Sequence, residues 1–176
     1  MLVPFVNFGA QYLEHKEEYD EAIQRCLSKG KLILQEDGEQ FEENLATRLG
    51  MKYAVGVANG TDAITLALKA KGLKGTTHIT TSGYTFKATL EAIAHNGFHP
   101  IPLDVKGRLA EDAMIPVHIE GMVAQSKNAI IEDAAQAIGA KGVGYSGTFT
   151  LTFYPAKILG GFGDGGAVLT NDEEVY

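Results

Sequence analysis

Thr148-Phe149-Thr150-Leu151-Thr152-Phe153-Tyr154-Pro155-Ala156-Lys157, with the run Gly160-Gly161-Phe162-Gly163-Asp164-Gly165-Gly166 close behind it, is the stretch from which the fold can be read. Thr148 to Tyr154 is rich in β-branched and aromatic residues and predicts a strand, which Pro155 ends because it has no N–H to give the ladder. Lys157 therefore sits just past a strand end. A lysine there is ordinarily a solvated surface charge. The glycines argue otherwise. Five of the seven residues from Gly160 to Gly166 are glycine, an entropic cost that is expected where backbone must approach a ligand or take positive φ. Gly161 to Gly166 also matches G-x-G-x-x-G, the dinucleotide-binding pattern, and a nicotinamide-dependent dehydrogenase is the weak alternative resting on it. That fingerprint needs a helix after its last glycine. Ala167-Val168-Leu169-Thr170 continues instead as a strand, so the run reads as a hinge beside Lys157.

Outward from this stretch, apolar runs alternate with helical periods. Tyr12, Ile23 and Leu27 among charged residues give a surface helix ending near Lys29-Gly30, and Phe41, Leu45 and Leu49 give a second helix closed by Gly50. Tyr53 to Ala58 is a first buried strand, Asp62 to Ala70 a helix, His78 to Thr81 a strand, Thr85 to His95 a helix, and Pro100 to Leu103 a short strand. Ile115 to His118, Ala129 to Ile131, Thr148 to Tyr154 and Ala167 to Thr170 complete the set. This is an α/β pattern, and it predicts a mostly parallel sheet with helices on both faces. Ligands of such sheets lie outside the carboxyl ends of the strands. The residues there are Asn59-Gly60-Thr61, Ser82-Gly83-Tyr84, Asp104, His118, Glu132-Asp133 and Lys157.

The totals narrow the function. The chain has 176 residues, 45% of them hydrophobic, enough for one ordinary domain. A net charge of -7 argues against nucleic acid or an anionic membrane surface as partner. Cys26 is the only cysteine, which leaves no internal disulfide and no cysteine metal site. No metal is expected. The amino terminus lacks a basic region followed by an apolar run, and no stretch of 18 apolar residues occurs, so a cytoplasmic protein is expected.

Asn59-Gly60-Thr61-Asp62 opens a helix directly after a strand, where free N–H groups and the helix dipole favour an anion. Capping by Asn59 or Thr61 explains the same residues without a ligand. Asp133 ends a strand, precedes what reads as an alanine-rich helix, and has Gln136 one turn on. It is either an N-cap or a carboxylate that pairs with a protonated heteroaromatic nitrogen. Phe86 is either core or an aromatic that stacks on a flat ring. A reactive lysine, an acid for a pyridinium nitrogen, an anion-binding helix start and an aromatic lid together describe pyridoxal 5′-phosphate held as a lysine Schiff base.

Asn59-Gly60-Thr61-Asp62-Ala63, Tyr84-Thr85-Phe86-Lys87-Ala88-Thr89, Pro116-Val117-His118-Ile119-Glu120-Gly121, Glu132-Asp133-Ala134-Ala135-Gln136-Ala137, and Phe153 to Lys157 with Gly163-Asp164-Gly165-Gly166 resemble the DegT/DnrJ/EryC1/StrS family of sugar aminotransferases. The resemblance runs from about Val6 to the end. It implies a fold-type I pyridoxal-phosphate transaminase, a homodimer with shared active sites, which moves an amino group from glutamate to a keto sugar linked to a nucleoside diphosphate, as in polysaccharide biosynthesis. Residue by residue, it implies Lys157 as the Schiff-base lysine, Asp133 as partner of the pyridine nitrogen, and Gln136 near the cofactor 3-hydroxyl. Gly60, Thr61 and Thr152 would hold the phosphate, Phe86 would stack, and His118 would stand near the substrate. Some relatives are dehydratases that lack the lysine, and Lys157 argues against that branch. A non-catalytic domain that keeps the fold as a regulatory or structural partner is the alternative.

The sequence departs from the family in five respects. Ile158 stands where an asparagine often follows the lysine. The stretches Lys106 to Ala113, Met122 to Asn128 and Ala140 to Thr148 are shorter than their family counterparts, so crossover helices are expected to be missing. The apolar strands at Ile79, Ile101, Val117 and Ile131 would then lie uncovered. The family's small carboxy-terminal domain is absent, and residues 1–176 read as the large cofactor-binding domain of a longer protein.

Overall fold

The computed structural model describes residues 3–4, 6–74, 78–103 and 113–176. The chain divides into two compact units, Met1–Phe41 and Glu42–Tyr176. In the first, α1 (Phe8–Glu14) is capped by the Asn7 side chain, which accepts from the Ala10 N–H at 3.0 Å, and α2 (Lys16–Ser28) follows. Neither helix buries a residue, as the expected surface helix requires. Tyr12 and Lys16 both bond Asp20, and Lys29 pairs with Asp37 at 3.1 Å. Exposed ion pairs of this kind contribute about 0–1 kcal/mol each. Asp104, singled out as a strand-end residue, lies outside the described residues.

α3 (Glu36–Leu49) begins in the first unit and ends in the second, where Leu45 and Ala46 are buried. Gly50 follows it at φ +69, the left-handed conformation in which a helix commonly ends. The second unit continues with β1 (Tyr53–Val57), α4 (Gly60–Ala70), β2 (His78–Ser82), α5 (Lys87–His95), β3 (His99–Leu103) and β4 (Met114–Ile115). A short 3₁₀ turn (Ile119–Gly121), β5 (Glu132–Asp133), β6 (Thr148–Thr152) and β7 (Gly166–Thr170) complete it.

One sheet has the order β1-β7-β6-β5 and a second the order β3-β2-β4. Parallel bridges Met114–Ala129 and Val117–Asp133 link their facing edges. β2 runs parallel to β3 and β4, and β5 parallel to β6. β7 alone is reversed, antiparallel to both β1 and β6. A parallel return needs a crossover of a dozen or more residues, usually helical, whereas β6 and β7 are joined by the glycine-rich loop alone. The sheet is therefore mixed, with one strand departing from the parallel expectation.

Helices cover both faces. Ala63, Ile64, Ala67 and Leu68 of α4 and Ala92 and Ile93 of α5 pack with Ile79, Ile115, Ile131 and Val168. On the other side Leu45 and Ala46 of α3 meet Ala54, Phe149, Leu151, Ala167 and Leu169. Full burial of one such aliphatic side chain contributes about 1.5–3 kcal/mol. These contacts overturn the expectation of uncovered strands. Ile79 and Ile131, packed against α4 and α5, are fully buried and Val117 nearly so; Ile101 is half-buried.

A second correction concerns the segment after Asp133. It forms no helix: residues 134–147 are a succession of turns. Gly139, Gly142, Gly144 and Gly147 all have positive φ between 74 and 100. Residues in that conformation cannot continue a right-handed helix, so four glycines in nine residues override the alanines.

Candidate active site

A cleft of about 480 Å³ opens at the carboxyl ends of β5 and β6, against the start of α4. Gly60, Thr61, Phe86, His118, Asp133, Gln136, Thr152 and Lys157 all line it. Residues far apart in the sequence, read separately as strand-end positions, thus converge on one cavity.

The start of α4 is fixed by close backbone approach. Asn59 caps the helix with its side chain, which accepts from the Asp62 N–H at 2.8 Å, and its carbonyl accepts from the Ala63 N–H at 3.0 Å. The first N–H groups of a helix have no intrahelical partner. Gly60 and Thr61, which supply two of these groups, line the cleft, where such a helix start suits an anion. Gly60 has no alternative residue. A Cβ there would lie 2.8 Å from the Cβ of Thr152, closer than real contacts allow. Gly166, at the start of β7, likewise meets the Asn59 carbonyl, from which a Cβ would be 2.4 Å away.

Lys157 follows the end of β6 and is half-buried. Its N–H donates to the Tyr154 carbonyl at 2.8 Å, while Gly161 returns to bond the Phe153 carbonyl at 2.8 Å. Gly160 permits this tight return, since a Cβ there would stand 2.2 Å from the Pro155 carbonyl oxygen. The glycine run therefore folds back onto the strand end and places Asp164 on the cleft wall. It enters β7 and not a helix, which removes the dinucleotide-binding reading. Among the described residues the Lys157 ammonium has no ion-pair partner.

Asp133 is 5% exposed at the end of β5. Its Oδ2 accepts from the Thr89 hydroxyl at 2.7 Å and its Oδ1 from the Ala135 N–H at 3.1 Å. Gln136 Oε1 accepts from the Glu120 N–H at 2.9 Å, which commits the amide carbonyl and leaves the NH₂ as the donor toward the cleft. Glu120 holds φ +55, and the Tyr84 hydroxyl donates to its carboxylate at 3.0 Å. That hydrogen bond, with the Glu120 charge behind it, raises the Tyr84 phenol above its usual range. Phe86 precedes α5 with its ring 66% exposed at the cleft.

His118 reaches the cleft wall with both ring nitrogens already engaged. Nδ1 accepts from the Ala124 N–H at 3.2 Å, so Nε2 carries the proton and donates to Glu132 Oε2 at 2.8 Å. Glu132 also accepts from the Gly144 and Ser146 N–H groups at 2.8 and 2.7 Å. Burial raises the Glu132 carboxyl pKa, but these bonds, that from His118 first, outweigh it and hold it below the usual carboxylate range. The sequence pattern gave no role to Glu132 or Thr89. Each is a buried polar residue, Thr89 in α5 and Glu132 in β5, and only the three-dimensional partner reveals its work.

The model of the DegT/DnrJ/EryC1/StrS aminotransferase family matches residues 13–176. The chain is 34% identical to the "Pleiotropic regulatory protein" of Geobacillus stearothermophilus, over 99% of this chain and 55% of that one. It is 35% identical to the UDP-2-acetamido-2-deoxy-3-oxo-D-glucuronate aminotransferase of Pseudomonas aeruginosa, over 99% and 56%. Among solved structures, S. venezuelae DesV in complex with a ketimine intermediate superposes with a TM-score of 0.88 at 33% identity, covering 98% of this chain and 54% of that chain. The chain spans about half the length of the curated relatives it matches. The Geobacillus alignment runs over 204 positions, more than the 176 residues of this chain, so it includes gaps in this chain.

Proposed function

The chain belongs to the DegT/DnrJ/EryC1/StrS aminotransferase family, and from that premise we propose that it is the cofactor-binding part of a pyridoxal 5′-phosphate-dependent transaminase that aminates a nucleoside-diphosphate-linked keto sugar with glutamate as donor. The observation that carries this reading is the convergence of Lys157, Asp133 and the open start of α4 on one cleft. The residues present fit the cofactor. Gly60 lets the start of α4 pack closely against Thr152 on the cleft wall, the Gln136 amide oxygen is taken by the Glu120 N–H, and Asp133 retains acceptor capacity beyond its two protein donors.

Pyridoxal 5′-phosphate, when bound, supplies an electron sink for the carbon that carries the amino group. The Gly60 and Thr61 N–H groups and the Thr152 hydroxyl would bind its phosphate, Phe86 would lie on its ring, and the Gln136 NH₂ would donate to its 3-oxygen. Asp133 would hold the ring nitrogen protonated, because a carboxylate favours the charged form of a neighbouring base. Lys157 would supply the amine that holds the cofactor and, when free, the base that takes and returns the proton of the amino-bearing carbon. A homodimer in the cytoplasm fits the exposed apolar side chains Phe86, Ile158 and Phe162 and the single free Cys26.

The relative named a pleiotropic regulatory protein favours a second reading, a cofactor-binding domain without turnover. Incubation with nucleotide-linked keto sugars and glutamate, followed by mass spectrometry of the sugar, separates the two. Amino-sugar formation that requires glutamate supports the transaminase. Binding of the cofactor with no amination across UDP- and dTDP-linked keto sugars supports the regulatory domain.

A further inference from the structure

One oxygen of Asp133 has a partner from outside its own strand. The hydroxyl of Thr89, in the first turn of α5, lies 2.7 Å from Asp133 Oδ2, and Thr89 is fully buried. Thr89 Oγ1 is also 2.9 Å from Thr85 Oγ1. Chemistry sets the direction of these bonds. An ionised carboxylate only accepts, and a hydroxyl has one proton to give. Thr89 therefore donates to Asp133, and the single Thr85 proton is shared between Thr89 Oγ1 and the Phe86 carbonyl, 3.2 Å from Thr85 Oγ1. The chain runs one way, from Thr85 through Thr89 to the carboxylate.

The same chain has a second end at the cleft. Thr85 directly precedes Phe86, and the Thr89 N–H donates to the Phe86 carbonyl at 3.3 Å. The first turn of α5 thus ties the exposed ring of Phe86 to the buried carboxylate of Asp133. An ionised carboxylate offers about four acceptor positions, and Thr89 and Ala135 take two. The remaining capacity is open to a donor in the cleft.

We propose that Thr89 is a positioning residue for Asp133: its buried hydroxyl, itself bonded to Thr85, fixes the orientation of the carboxylate in register with Phe86, so that the site grips a protonated heteroaromatic ring. This rests on reading the cleft as the pyridoxal-phosphate site. Thr89 acts through Asp133 and touches no reacting atom.

The test is equilibrium titration of pyridoxal 5′-phosphate into the cofactor-stripped full chain, followed by absorbance, for wild type and for Thr89→Val, Thr89→Ser, Thr85→Val, Asp133→Ala and Thr89→Val/Asp133→Ala. Loss of a bond to a charged group should weaken binding by Thr89→Val about tenfold to a hundredfold. Thr89→Ser, which keeps the hydroxyl, should return within about threefold of wild type. Thr89→Val should cause no further loss once Asp133 is alanine. Unchanged affinity in Thr89→Val, or an equal loss in the Asp133→Ala background, overturns the assignment while leaving the cleft reading intact. Wild type that binds no pyridoxal phosphate overturns the cleft reading and this assignment with it. If Thr89→Val shows no cooperative thermal transition, Thr85→Val decides, since it removes only the outer donor: a loss of about threefold or more supports the chain, and wild-type affinity overturns it.

Discussion

His118 Nε2 and Glu132 Oε2 lie 2.8 Å apart with both side chains fully buried, and the Glu132 carboxylate collects three N–H donors, from His118, Gly144 and Ser146. Two of those donors belong to the turn-rich segment that stands in place of a helix after Asp133. One charge therefore anchors a connection that has no regular backbone ladder of its own.

Glu132→Gln should lower stability at pH 7 by about 2–4 kcal/mol, because a buried amide cannot accept from all three donors and its own NH₂ faces donors. The pH dependence follows from the depressed folded-state pKa of Glu132. Its contribution is fully present above the unfolded carboxyl value and is lost as pH falls through the folded one. Wild type should thus lose stability below about pH 4.5 more steeply than the variant. Urea unfolding at pH 7 and at acid pH measures both, and parallel pH profiles would remove the anchoring role.

Gly60→Ala should weaken pyridoxal-phosphate binding at least about tenfold and destabilise by about 1–3 kcal/mol, as the added methyl meets the Thr152 Cβ and moves the start of α4. Gly163→Ala is the control from the same glycine-rich neighbourhood. Nothing lies within 4 Å of a Cβ there, so its stability should stay within about 0.5 kcal/mol of wild type. Equal effects of the two variants would show that the close approach at Gly60 is unimportant.

The strand and helix pattern was legible because buried apolar runs and helical periods survive in the sequence, as at Tyr53–Val57 and Gly60–Ala70. The strand-end rule led to Asp133, His118 and Lys157. The direction of β7 was not legible, since apolar runs read alike either way and only the antiparallel register with Leu151 and Ala54 fixes it. The turns after Asp133 were misread as helix because Ala134, Ala135 and Ala137 outweighed glycines whose positive φ is a three-dimensional fact. The role of Thr89 is not legible in the sequence, since it lies in a partner 44 residues away.

Asp133→Asn should still bind cofactor and lose about two to four orders of magnitude in single-turnover amination, because a neutral amide holds a pyridinium proton poorly. The amide oxygen can accept from the Ala135 N–H and the amide NH₂ can donate to the Thr89 hydroxyl oxygen, so the fold should hold. Rapid-quench measurement of amino-sugar formation checks this, and a near-normal rate would remove the electrostatic role of Asp133.

The central claim is that Lys157 is the amine that holds the cofactor, and borohydride reduction followed by peptide mass spectrometry addresses it directly. The account predicts a phosphopyridoxyl adduct on the peptide containing Lys157, absent from Lys157→Ala. The same adduct mass in Lys157→Ala, carried by another lysine, would contradict it.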